Sequence, residues 1–201
     1  MGLLSFFTNS SPEAVYQKLA KDVVFFALYH RSRFGETNPR LTADASAEIV
    51  YLLLHLVDQH AFKILGPTKR NEVFDRVAEL AIYEYSSSLF KKSTTSNVVD
   101  THVRIMYNNL DQRQVTYSYC KTLTGDPWPS RGTKIFACSY FTHKALERTD
   151  RADVDAVLRG EQDVSEDNMD AFPDMDDILI FAQSIIGYIE KSRIPQRLNR
   201  L

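Results

Sequence analysis

The chain has 201 residues, 44% of them hydrophobic and 25% charged. These are ordinary globular values, and the length suffices to bury a core within one domain spanning 1–201. A formal net charge of −2 removes any global electrostatic pull toward nucleic acid or anionic lipid, and seven Gly with seven Pro argue against a many-turned β fold and against long disorder.

The start, Met1-Gly2-Leu3-Leu4-Ser5-Phe6-Phe7, is apolar but carries no positive charge and turns polar at Thr8. It therefore does not read as a secretory signal, and Phe6 stands where myristoylation wants Ser or Thr. These residues are expected to cap the core.

The first predicted helix opens with Ser11 as N-cap, Pro12 in the first helical position and Glu13 at the positive helix end. It is expected to run to Phe34, where Gly35 ends it. Val15, Leu19 and Val23 make its first half amphipathic. The run Val23 to Tyr29 is apolar on all sides, which predicts burial on most sides.

The second helix is predicted from a Thr42 cap to Leu65, stopped by Gly66-Pro67. Ala43, Ala47, Val50, Leu54, Val57, Ala61 and Ile64 recur at the helical period, and Ile49, Leu53 and Leu56 widen the face. This is the expected central helix. A third helix is expected from a Thr68 cap to Lys92, with Val73, Phe74, Val77, Leu80, Ala81 and Tyr85 as its apolar stripe.

A fourth helix should start near Ser96 and reach toward Leu123, on Val99, Val103, Met106, Leu110 and Tyr117. Val115, Tyr117 and Tyr119 also alternate with Thr116, Ser118 and Cys120, and Ile135 to Phe141 is rich in strand-formers. A hairpin around 115–141 is therefore a competing reading. Residues 147–177 hold 3 basic and 12 acidic side chains, and 147–173 reads as an acidic surface segment. The last helix is expected to begin at Asp174 to Asp177 and to end at Pro195. Gln196 to Leu201 then forms a basic tail. The resulting expectation is an all-α fold, a compact bundle of five to seven helices, with an α+β fold as the alternative.

Chemistry is harder to find. The five histidines are His30, His55, His60, His102 and His143. His55 and His60 lie about 140° apart around a helix, which does not suit a shared ion. No His-Glu-x-x-His and no Glu-x-x-His occurs. Glu48, His55 and Asp58 share a stripe of the second helix and are the metal-ligand candidates; otherwise they are that helix's wet side. The acidic segment fits no EF-hand, Ser88-Leu89-Phe90-Lys91 lacks the partner motifs of acyltransferases, and no Gly-x-Ser-x-Gly or Walker loop is present. The loop Gly125 to Gly132 holds the single Trp128 between two prolines, followed by Arg131. Trp and Arg are the residue types most enriched at binding hot spots, so Trp128 and Arg131 are binding candidates, unless Trp128 plugs the core.

Cys120 and Cys138 read as reduced, buried residues of a cytoplasmic protein. No cofactor can be named. The functional expectation is a non-catalytic helical protein acting through protein contacts, with a partner or as a homodimer. No nucleic acid and no transmembrane segment are expected. A metal-dependent enzyme with its site between helices is the alternative.

Overall fold

The computed structural model describes residues 11–30, 39–90, 96–119, 184, 187–188 and 191–201. This part of the chain is 94% helical and contains no strand, so the all-α expectation holds.

Helix α1 spans Pro12–His30. Its start is the one read from sequence: the Ser11 carbonyl accepts from the Ala14 and Val15 amides, and the Ser11 hydroxyl accepts from Ala14 at 3.3 Å. Val15, Leu19 and Val23 are buried, together with Tyr16, Ala20, Val24, Phe26 and Ala27. The apolar second half is not covered on all sides, however. Phe25 is 72% exposed and Tyr29 68%. Val23, Val24, Phe26 and Ala27 are buried and Leu28 partly so, so most of the circumference meets the core, as expected, and one strip is left outside. The expected extension to Phe34 lies outside the described residues.

Helix α2, Pro39–Leu89, joins the second and third predicted helices into one bent element. The break is Gly66, at φ 75° and ψ 176°, a conformation nearly restricted to glycine. Pro67 then begins the second arm, where its missing N–H costs nothing and its fixed φ suits a helix start. So Thr68 is not the cap; Gly66 and Pro67 divide that role. Helix α2 likewise begins at Pro39 rather than at Thr42, for the same reason. It is the central helix, touching every other helix named here. Its first arm buries Ile49, Val50, Leu53, Leu54, Leu56, Val57 and Ala61, and its second arm Val73, Val77, Ala81, Ile82 and Tyr85.

By length and composition Ser46–Leu89 could cross a bilayer, and 61% of its most apolar window lies inside the protein. A core helix of a globular fold has that same composition.

Helix α3 spans Ser96–Tyr119 and buries Met106 and Leu110. Residues 115–119, the first arm of the alternative hairpin, are helical. Residues 120–141, which would supply the remainder, lie outside the described residues. So do the acidic segment 147–173 and both cysteines.

The C-terminal end departs from the sequence reading. Pro195 does not close a helix; it sits in the first turn of α4, Ile194–Leu198. Arg193, in the left-handed region at φ 48°, separates α4 from the helical residues before it. A proline that cannot continue a helix can start one. The supposed tail is docked: Ile194 and Leu198 are buried, and Arg197 donates to Asp22 of α1 at 2.5 Å.

Candidate functional site

The stripe of Glu48, His55 and Asp58 on α2 is not that helix's wet side. All three are buried, at 5%, 2% and 8% exposure. Burying a polar group is expensive unless it finds partners, and each finds its own. Arg113 of α3 donates to Glu48 Oε1 through Nε at 2.6 Å and Nη2 at 2.5 Å. His55 sits between two amides: Nδ1 lies 2.8 Å from Gln114 Oε1, and Nε2 lies 2.7 Å from Gln59 Nε2. Gln59 donates with its amide, so Nε2 accepts and the ring proton resides on Nδ1. Asp58 takes Arg70 in a two-pronged pair, with Nη2 to Oδ2 at 2.7 Å and Nε to Oδ1. Arg70 also lies over the Phe74 ring, 5.4 Å from its centroid. The hydrogen bond to Asp58 raises the guanidinium pKa further.

These contacts divide the stripe between two tasks. Glu48 and His55 tie α2 to α3. Asp58 and Arg70 stand on opposite sides of Gly66 and clamp the bend. Among the described residues, no three His, Cys, Asp or Glu side chains are grouped to hold an ion.

The seam continues in both directions. The Tyr51 hydroxyl meets the Asn109 side chain, while burial first and Glu48 second push its pKa well up. Ser46 and Tyr85 share a hydrogen bond at 2.5 Å across the two arms of α2. Ser86 Oγ lies 2.8 Å from His102 Nδ1 on α3. A serine beside an imidazole has the outline of a nucleophile and its base. Ser86, however, is fully buried, with the Met106 sulfur 3.9 Å away. It is a polar tie within the core. One seam atom is left over: the buried Gln114 Nε2 has no hydrogen-bond partner among the described residues.

The accessible chemistry lies elsewhere, where the second arm of α2 runs beside α3. Two openings of about 500 and 550 Å³ meet there and share Glu79 and Tyr107. Leu80, Tyr83 and Val103 line one end; Phe74, Ala78 and Leu110 line the other. Glu72, Asp75, Glu79 and Asp111 edge the groove, and Arg76 is the one cation among its described lining residues. Arg76 is occupied by Glu13 at 2.7 Å and Glu79 at 2.6 Å. The Tyr107 phenol pKa is raised, by burial first and then by Glu79 and Asp75, which marks the local potential as negative.

Trp128 and Arg131 lie outside the described residues. The groove was missed in sequence because its walls come from two helices, and each wall residue alone looks like ordinary amphipathic patterning. Compared with known protein families, with curated proteins and with solved structures, the chain matches none.

Proposed function

We propose that the protein is a non-catalytic helical module of the cytoplasm that acts through protein contacts, with a protein partner or as a homodimer. The complete fold in this reading is one domain of five to seven helices. The observation that supports it best is the Phe25–Tyr29 pair. Two large rings one turn apart on α1 stack on each other, centroids 6.1 Å apart and 19° between planes, and both face outward. Scattered exposed apolar residues are normal on monomers, but adjacent stacked rings offer a contiguous apolar patch of the kind that partners cover. Tyr83, Ile105 and Tyr107 add to the exposed apolar surface on α2 and α3. The buried polar groups support the reading in a second way, since Glu48, His55 and Asp58 spend their hydrogen bonds inside the fold.

The test is association measured by light scattering and pull-down with wild type, a Phe25→Ser/Tyr29→Ser variant and Trp128→Ala. Both variants are expected to fold and to weaken association. A strict monomer that captures no partner would remove the reading.

A further inference from the structure

We propose that the groove between the second arm of α2 and α3 is a docking site for a basic amphipathic helix of a partner protein. The inference rests on the protein-contact reading above and names the surface and the chemistry of the occupant. Three observations carry it. The floor is apolar, built from Leu80, Val103, Phe74 and Leu110, with Tyr83 and Tyr107 standing at its sides. The edge is acidic: Glu72, Asp75, Glu79 and Asp111 face one arginine whose charge Glu13 and Glu79 already hold. The length fits a helix. Val103 to Asp111 covers about 12 Å of α3, and Glu72 to Tyr83 covers about 16 Å of α2, which takes two to three turns of a docked helix.

A helix lying in such a groove inserts side chains at i, i+3 or i+4, and i+7. Lysines or arginines on its flanks then meet Asp75 on one wall and Asp111 on the other. An acidic helix of the same pattern meets repulsion from both walls, so the groove selects by charge as well as by shape. Among the described residues, the face of α1 that carries Phe25 and Tyr29 has Lys18 and Lys21 as its exposed charges, and its one acid, Asp22, is part-buried and paired with Lys18 and Arg197.

The probe is a synthetic lysine–leucine amphipathic peptide of about sixteen residues, long enough to span the groove. A glutamate–leucine peptide of the same pattern and a scrambled lysine–leucine peptide serve as controls. Binding is followed by fluorescence anisotropy at low salt on the full chain, and the contact is mapped with a photo-crosslinker placed on the peptide. The basic amphipathic peptide is expected to bind and to crosslink to α2 and α3. Asp75→Lys/Asp111→Lys should weaken it about tenfold at low salt, with less effect at high salt. Tyr107→Ala, which removes a wall without changing charge, should weaken it as well and covers the case in which the double reversal does not fold. Phe25→Ser/Tyr29→Ser should leave it unchanged.

Equal binding of the acidic or scrambled peptide overturns the proposal. So does binding indifferent to both groove variants. Peptide binding or self-association that is lost only in the Phe25/Tyr29 variant overturns the groove while leaving the protein-contact reading standing. Loss of every form of association removes both.

Discussion

The buried pair of Glu48 and Arg113 gives the sharpest test of the fold. It joins helices whose sequence positions differ by 65, and both residues are nearly inaccessible, at 5% and 6% exposure. Exposed ion pairs contribute about 1 kcal/mol or less. A buried pair behaves differently, because removing one partner strands an uncompensated charge, at a cost of about 3–5 kcal/mol. Arg113→Met and Glu48→Leu are therefore each expected to destabilise by that amount. In the first the Glu48 carboxylate is stranded, in the second the Arg113 guanidinium. The double variant Glu48→Leu/Arg113→Met buries no charge and should lie within about 1 kcal/mol of wild type, or above it. The assay is urea denaturation followed by far-ultraviolet circular dichroism, combined as a double-mutant cycle. Among the described side chains of α3, Met106 and Leu110 are the fully buried apolar anchors, so the single variants should also release α3 before the rest unfolds. That release would broaden the transition and lower its apparent m value. Single variants costing less than about 1 kcal/mol would mean a solvated pair. A double variant as unstable as the two singles added together would mean no coupling across the helices. Either result refutes the seam as described.

Three further expectations follow from particular residues. Gly66→Ala should cost about 1–3 kcal/mol although a Cβ there meets nothing, because φ 75° strains any L side chain, whereas Gly187→Ala in a helical turn, with equally open space, should gain about 0.5–1 kcal/mol; thermal unfolding of the two variants separates backbone strain from packing. Treatment with a chelator should leave the melting temperature unchanged, since Glu48, His55 and Asp58 are held by Arg113, by Gln114 with Gln59, and by Arg70; a substantial drop would mean that an ion supports this stripe. At high pH the sign comes from Tyr51 and Tyr188, whose folded pKa values are raised above the ordinary 10.0, chiefly by burial. Their contribution to stability is fully present below pH 10 and is lost as pH rises beyond it, because the unfolded chain releases these protons first. Phenolate absorbance should show these two rings titrating only as the helices melt, and early titration of either would refute their burial.

The parts of the fold that were legible in sequence are those set by local chemistry. The Ser11 cap, the Pro12 start, the break at Gly66-Pro67 and the start of α3 at Ser96 each follow from one or two residues and the backbone rules they obey. The apolar stripe of α2 was legible for the same reason, since Val50, Leu54, Val57 and Ala61 keep the helical period and are all buried. Where the reading failed, the cause was tertiary. Nothing in the run Val23 to Tyr29 states which strip of it stays uncovered, and that strip is the one with Phe25 and Tyr29. Nothing near Pro195 states that Arg193 turns left-handed and gives the chain a new short helix to dock.

The stripe of Glu48, His55 and Asp58 shows the limit most clearly. At helical spacing a polar row on a long apolar helix invites two readings, a wet face or a ligand set. The structure excludes the wet face and adds partners that the sequence does not show, since Arg113, Gln114 and Arg70 come from a different helix or from beyond a bend. The physical consequence concerns specificity. Apolar side chains on α2 and α3 would tolerate sliding by one turn, about 5.4 Å, at modest loss of buried area. Arg113 on Glu48, Gln114 on His55 and Asn109 near Tyr51 do not tolerate it, since each would be left buried without its partner. The seam thus fixes the register between these helices at some cost in stability, and that register is what aligns Tyr83 with Tyr107 and Asp75 with Asp111 along the groove. A binding surface assembled from two helices needs such a device, because neither helix carries the surface alone.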